Sequence, residues 1–325
     1  MGVPCREMGK RLDGALAVLN GAIGNYLART NNALATEMAF IDRGAPLTID
    51  RAELARALPD ASPRVVVLVH GLMCTETIWE IEGGGDYGAL LARDLGSTPL
   101  YLRYNSGLAI ADNGEALSRL LEALVAAYPV AIEQIDFIGF SMGGLVVRSA
   151  CHAASVANHG WLARVRRAFY LGTPHLGAPS ERVGRVVAKV LGAVPDPYTR
   201  LVADLANLRS DGVQDLGDAD LRHEDRARRV ARIALRDPSH PVPLLPPIRH
   251  YLVASTLYAD PWLAALFGDS VVPVRSATDG ARLDVEAALR PSNIQVLRGI
   301  VHLDLPRRLE VYDRIRAWYA DEVSP

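Results

Sequence analysis

Gln134-Ile135-Asp136-Phe137-Ile138-Gly139-Phe140-Ser141-Met142-Gly143-Gly144-Leu145 is the stretch on which the reading of the fold turns. Ile135 to Phe140 is a short apolar run of strand type. From Gly143 to about Asn158 apolar residues recur at helical spacing. Ser141 therefore stands on a sharp turn from strand into helix. Such a turn strains the serine backbone, and side chains two positions to either side would collide, so Gly139 and Gly143 fit it. The following helix points its positive N-terminal end at the reaction centre, where a developing oxyanion is favoured. A Gly-x-Ser-x-Gly match has meaning only in this strand–turn–helix setting. Here it reads as a nucleophile.

Outward from Ser141 the pattern alternates. Strands are expected at Arg64 to Val69, Pro99 to Tyr104, Val165 to Leu171, Ile248 to Ser255 and Ile294 to Ile300. Helices are expected near Tyr87 to Leu95, Asn113 to Tyr128 and Leu305 to Trp318. The Val65-Val66-Val67-Leu68-Val69 run is apolar throughout, as in a strand covered on both faces. The class is α/β: a mostly parallel sheet with helices on both faces. Before it, Leu12, Ala15, Leu19, Ile23 and Leu27 mark an amphipathic helix over about Glu7 to Phe40, broken at Gly21 or Gly24. It packs against the domain or meets a partner or a membrane surface. The segment 176–247 is helical in pattern, rich in Arg, Asp and Pro, and reads as a cap inserted at the catalytic end. The expected division is an N-terminal helical extension (1–60), a catalytic core (61–175 and 248–325) and a helical cap (176–247).

A serine hydroxyl needs a base, and the base needs an orienting carboxylate. On a sheet with this elbow the partners follow in the order serine, acid, histidine. Of the histidines after Ser141, only His302 falls between the last strand and the terminal helix. For the acid, Asp260 and Asp269 compete. Asp260 lies before Pro261 at a turn or helix start; Asp269 lies in the turn Gly268-Asp269-Ser270-Val271-Val272-Pro273 and is favoured. Asp304 is too near His302 to be the separate acid. Oxyanion donors are expected from the Met142 amide and the Leu72 amide, the latter in the loop His70-Gly71-Leu72-Met73 after the Val65–Val69 strand. His70 precedes the serine and reads as a brace of that loop.

These stretches resemble the lipase and esterase branch of the α/β hydrolases, especially bacterial relatives of the GPI inositol-deacylase and triacylglycerol lipase group. The matching residues are Val69-His70-Gly71-Leu72, Gly139 to Leu145, Gly172-Thr173-Pro174-His175-Leu176-Gly177-Ala178-Pro179, Gly268 to Pro273, and His302-Leu303. The resemblance implies the α/β-hydrolase fold, and it strengthens Asp269, since the family's acid sits in an Asp-Gly-Val-Val-type turn. Here Ser270 replaces that Gly, and Phe140 stands where many relatives have His. It also implies that His175 and Leu176 shape the pocket floor, with His70, Gly71, Met73 and Phe140 lining the rest.

Composition agrees with a large globular core: half of the 325 residues are hydrophobic. A net charge of −2 gives no reason to expect nucleic-acid binding, and the Arg226 to Arg232 cluster reads as a solvated helix face. Cys5, Cys74 and Cys151 have neither disulfide nor zinc spacing. No secretory signal or membrane-spanning run is visible, so the expected location is cytoplasmic. The expected partner is an ester with an apolar acyl group, from the apolar set Leu72, Met73, Trp79, Phe140 and Leu176. The chemistry requires no metal and no organic cofactor. Acyl transfer to another alcohol stays open beside hydrolysis. A non-catalytic scaffold is disfavoured, because every triad member can be placed.

Overall fold

The computed structural model describes residues 5–81, 83–177, 210–226, 242, 244–257, 269, 272–278 and 291–320. Strands β1 (Ala39–Asp42), β2 (Ala45–Pro46), β3 (Arg64–Val69), β4 (Thr98–Arg103), β5 (Gln134–Phe140), β6 (Val165–Leu171), β7 (Arg249–Thr256) and β8 (Ile294–Arg298) form one sheet, in the order β2-β1-β4-β3-β5-β6-β7-β8. From β4 to β8 every neighbouring pair is parallel, while β1 pairs antiparallel with both β2 and β4. Val67 is opposite Leu100 on one side and Phe137 on the other.

The helices of the described residues are α1 (Cys5–Arg29), α2 (Arg51–Ala57), α3 (Tyr87–Leu95), α4 (Ile110–Ala127), α5 (Met142–Ala157), α6 (Asp211–Asp218), α7 (Val274–Thr278) and α8 (Leu309–Ala320). Successive strand side chains point to opposite faces, so β3 divides itself between two cores. Val65, Val67 and Val69 pack with Val18 of α1, Leu117 of α4 and Leu145 of α5. Val66 and Leu68 pack with Tyr87 and Leu91 of α3 and Ile315 and Trp318 of α8. Burying both faces explains the unbroken apolar run.

From β3 the chain goes to β4 on one side and then returns to β5 on the other. The loops leaving the carboxyl ends of β3 and β5 consequently part, and this reversal is where open α/β sheets place their ligand crevice.

Several expectations need correction. The first helix ends at Arg29, well before Phe40, and Ala39–Asp42 is a strand held by β4 through Ala39–Arg103 and Phe40–Leu102. A four-residue strand defined by a partner sixty residues away leaves no local periodicity to read. The break in α1 falls at Ile23 (φ −136°, ψ 20°), between the two candidate glycines. The last helix begins at Leu309, since His302–Arg307 forms a 3-10 turn containing Pro306. Arg226 is partly exposed and also reaches Asp211 at 2.8 Å and Asp215 at 3.5 Å. The rest of its cluster, like 178–209 of the expected cap, lies outside the described residues. Cys74 and Cys151 are free thiols, and no described helix is long and apolar enough to cross a membrane.

Candidate active site

Ser141 sits between β5 and α5 at φ 52°, ψ −123°. A positive φ is costly for a residue with a Cβ and persists only where the surroundings fix it. Its N–H donates to Leu171 O at 2.8 Å, extending the β5–β6 ladder past the strand end. The glycine requirement is steric: a Cβ on Gly139 would lie 2.6 Å from Gly144 Cα, and one on Gly143 would collide with the carbonyls of Val69 and His70.

His302 lies just after β8, and its Nε2 is 3.0 Å from Ser141 Oγ. Its Nδ1 is 2.7 Å from Asp269 Oδ2. A carboxylate only accepts, so Nδ1 carries the proton and Nε2 is free to accept from the serine. Both side chains are buried. Asp269 is fixed in turn, its Oδ1 accepting from Val272 N at 2.8 Å and its Oδ2 facing Ser255 Oγ at 3.4 Å. The competing Asp260, and Gly268, Ser270 and Val271 of the acid's turn, lie outside the described residues. Phe140 tilts against the His302 ring with centroids 5.0 Å apart, an apolar flank beside Ser141.

The loop after β3 comes up against the serine: a Cβ on Gly71 would lie 3.1 Å from Ser141 Cβ. The Gly71 carbonyl accepts from His70 Nδ1 at 2.8 Å and from Cys74 N at 3.3 Å. Carbonyl and N–H of one trans peptide point in opposite directions, so pinning Gly71 O also sets the direction of the Leu72 N–H. Among the described residues, neither the Leu72 nor the Met142 amide donates to a protein acceptor, although both residues are buried. Burial lowers the His70 pKa to about 4, so its ring is neutral near pH 7. Met73 follows at φ 59°, its N–H held by Ser106 Oγ at 3.0 Å.

Tyr104, which the sequence reading passed over, stacks on His70 at 4.4 Å and donates its hydroxyl to His70 O at 2.8 Å. The available signal was its place: Tyr104-Asn105-Ser106 directly follows β4, at the same sheet end as the serine. His175 is buried, with Nδ1 accepting from Arg148 Nη1 at 3.0 Å; Arg148 also donates to Val242 O. Burial, then the neighbouring guanidinium, pushes the His175 pKa well down. Leu176 is half exposed, whereas Trp79 is fully buried against Tyr87 and belongs to the core beneath the sheet. Among the described residues no group of His, Cys, Asp and Glu is arranged to hold a metal ion.

Residues 105–193 match the family described as "Putative serine esterase (DUF676)". No curated protein matches the sequence. Among solved structures, the mature Bacillus licheniformis lipase BlEst2 is similar at 17% identity and TM-score 0.50, covering 79% of this chain and 93% of its own. The Pyrococcus furiosus esterase Pf2001 is 13% identical at TM-score 0.45, covering 80% of each chain. A thermophilic esterase from Thermogutta terrifontis is 16% identical at TM-score 0.42, covering 80% and 91%. The parallel sheet with its flanking helices and the likeness to the BlEst2 lipase give this chain the α/β-hydrolase fold, and its residues 105–193 are similar to the serine esterase family.

Proposed function

We propose that this enzyme hydrolyses carboxylic esters through a covalent acyl-enzyme on Ser141. The observation that carries the reading is the buried relay from Asp269 through His302 to Ser141, at 2.7 and 3.0 Å. Ser141 Oγ attacks the ester carbonyl while His302 Nε2 takes the hydroxyl proton, and Asp269 stabilises the imidazolium that forms. The carbonyl oxygen becomes an oxyanion and accepts from the Leu72 and Met142 amides. Each such donor is worth about 3 to 4 kcal/mol in transition-state stabilisation. His302 then returns its proton to the departing alcohol. Water repeats the sequence and releases the acid.

The apolar side chains at the site (Leu72, Met73, Phe140, Leu176) favour an acyl group without charge. Hydrolysis of p-nitrophenyl esters from acetate to palmitate, by wild type and Ser141→Ala, tests the reading. The variant should lose turnover and no longer label with a fluorophosphonate probe. Undiminished hydrolysis by Ser141→Ala would sink the proposal.

A further inference from the structure

We propose that α1 is a positioning element of the oxyanion loop, through Gly21 against Met73 and Gly24 against Asn105. This rests on the reading of Leu72 as an oxyanion donor. Helix α1 lies on the same face of the sheet as α4 and α5, with Val18, Ala22, Ile23 and Leu27 buried in the common core. Hydrophobic burial alone would fix a helix on a sheet without fixing any loop. The region around the Ile23 break does something more specific.

A Cβ on Gly21 would collide with the Met73 side chain and approach Met73 Cα to 3.2 Å. Helix backbone thus lies directly against the backbone of the residue after Leu72. Met73 is held at positive φ, a conformation that relaxes unless its neighbours hold it. Two supports do so: Ser106 Oγ takes its N–H, and α1 packs against its Cα and side chain. The supports are themselves joined. Asn105, next to Ser106, donates through Nδ2 to Gly24 O at 3.0 Å, while its Oδ1 accepts from Gly107 N at 3.0 Å. A Cβ on Gly24 would overlap that amide. Ser210 Oγ donates to Gly21 O at 2.7 Å, tying the segment before α6 to the same turn of helix.

Nothing in this arrangement touches His302 or Asp269. Displacing α1 therefore rotates the Leu72 peptide and leaves the proton relay in place. Its signature is a loss of transition-state stabilisation alone, read in kcat rather than KM.

The experiment compares full-length wild type with Gly21→Ala, Gly24→Ala and Ser106→Ala. Gly14→Ala is the control, since it lies in the same helix with nothing within 4 Å of its Cβ. Hydrolysis of p-nitrophenyl butyrate is normalised to active sites titrated with fluorophosphonate. The first three variants should lose about 10- to 100-fold in kcat with KM within about threefold. Their pH–rate profiles should be unmoved, and affinity for a trifluoromethyl ketone should fall in step with kcat/KM. Gly14→Ala should match wild type.

Normalised kcat within about threefold of wild type in both Gly21→Ala and Gly24→Ala overturns the inference. So does a loss accounted for by fewer titratable sites, or one carried mainly by KM. Should neither glycine variant fold, Asn105→Ala removes the bond to Gly24 O without adding an atom and decides in their place. Wild type devoid of esterase activity would instead overturn the proposed function, so the two failures are distinguishable.

Discussion

Asp269→Asn isolates the role of the acid with almost no change in volume. In the wild-type arrangement Oδ1 accepts from Val272 N at 2.8 Å and Oδ2 from His302 Nδ1 at 2.7 Å. An asparagine has one accepting and one donating end, and both native partners are donors. If its oxygen stays on Val272, its NH2 faces Nδ1, and His302 must move its proton to Nε2. Nε2 then points a hydrogen at Ser141 Oγ and can no longer take one. The reversed amide would set NH2 against the Val272 N–H in a buried place, at a cost of about 1 to 3 kcal/mol for the unmet donor. The first arrangement loses the base, and the second keeps it only at that cost. The expected fall in kcat is about 10^4-fold, or about 5.5 kcal/mol in activation free energy. The assay is hydrolysis of p-nitrophenyl butyrate, with the thermal midpoint measured beside it to show the fold intact. Asp260→Asn, made in parallel, should retain activity. An Asp269→Asn enzyme within tenfold of wild type would refute this account of the site.

Three further outcomes are expected. His70→Phe keeps a ring on Tyr104 but removes the donor to Gly71 O; kcat should fall about tenfold with KM steady, and a change in KM alone would contradict the bracing role. Phe137 is fully buried and meets Trp161 edge-on with centroids 5.9 Å apart, so Phe137→Ala should cost about 3 to 5 kcal/mol in urea unfolding. Burial lowers the pKa of both His70 and His250 from 6.5 to about 4. Between those values the unfolded chain binds protons that the folded chain refuses, so stability falls as pH drops from 6.5 towards 4. At about 1.4 kcal/mol per pH unit this makes roughly 3 kcal/mol for each ring. A urea midpoint unchanged between pH 7 and pH 5 would show that these rings are not held neutral.

Much of the sheet was legible because its strands carry their own evidence. β3 is apolar at every position from Val65 to Val69, and β5 ends in the glycine-flanked turn at Ser141. Position relative to those strands was enough to select His302, whose ring comes to Ser141. What stayed hidden depends on distant partners. β1 exists because β4 accepts it, and α1 shows an apolar face in sequence but not what that face meets. The Tyr104 stack on His70 and the Arg148 bond to His175 join residues 34 and 27 positions apart. No local spacing encodes either. Asp260 and Asp269 were both plausible in sequence, because the choice turns on which carboxylate the chain folds back to a histidine 33 residues beyond Asp269.

The short strand β2 has a consequence for how copies of this protein behave in concentrated solution. A long, open sheet margin is a template on which another chain can add itself. Here the margin beside β1 is closed by two residues only, Ala45 and Pro46, both exposed. Pro46 has no N–H to offer. An incoming strand would find a ladder one rung long with a donor missing. The outermost part of the fold thus works as a guard against aggregation, at the opposite flank of the sheet from β7 and β8, which bring the acid and the histidine to the serine.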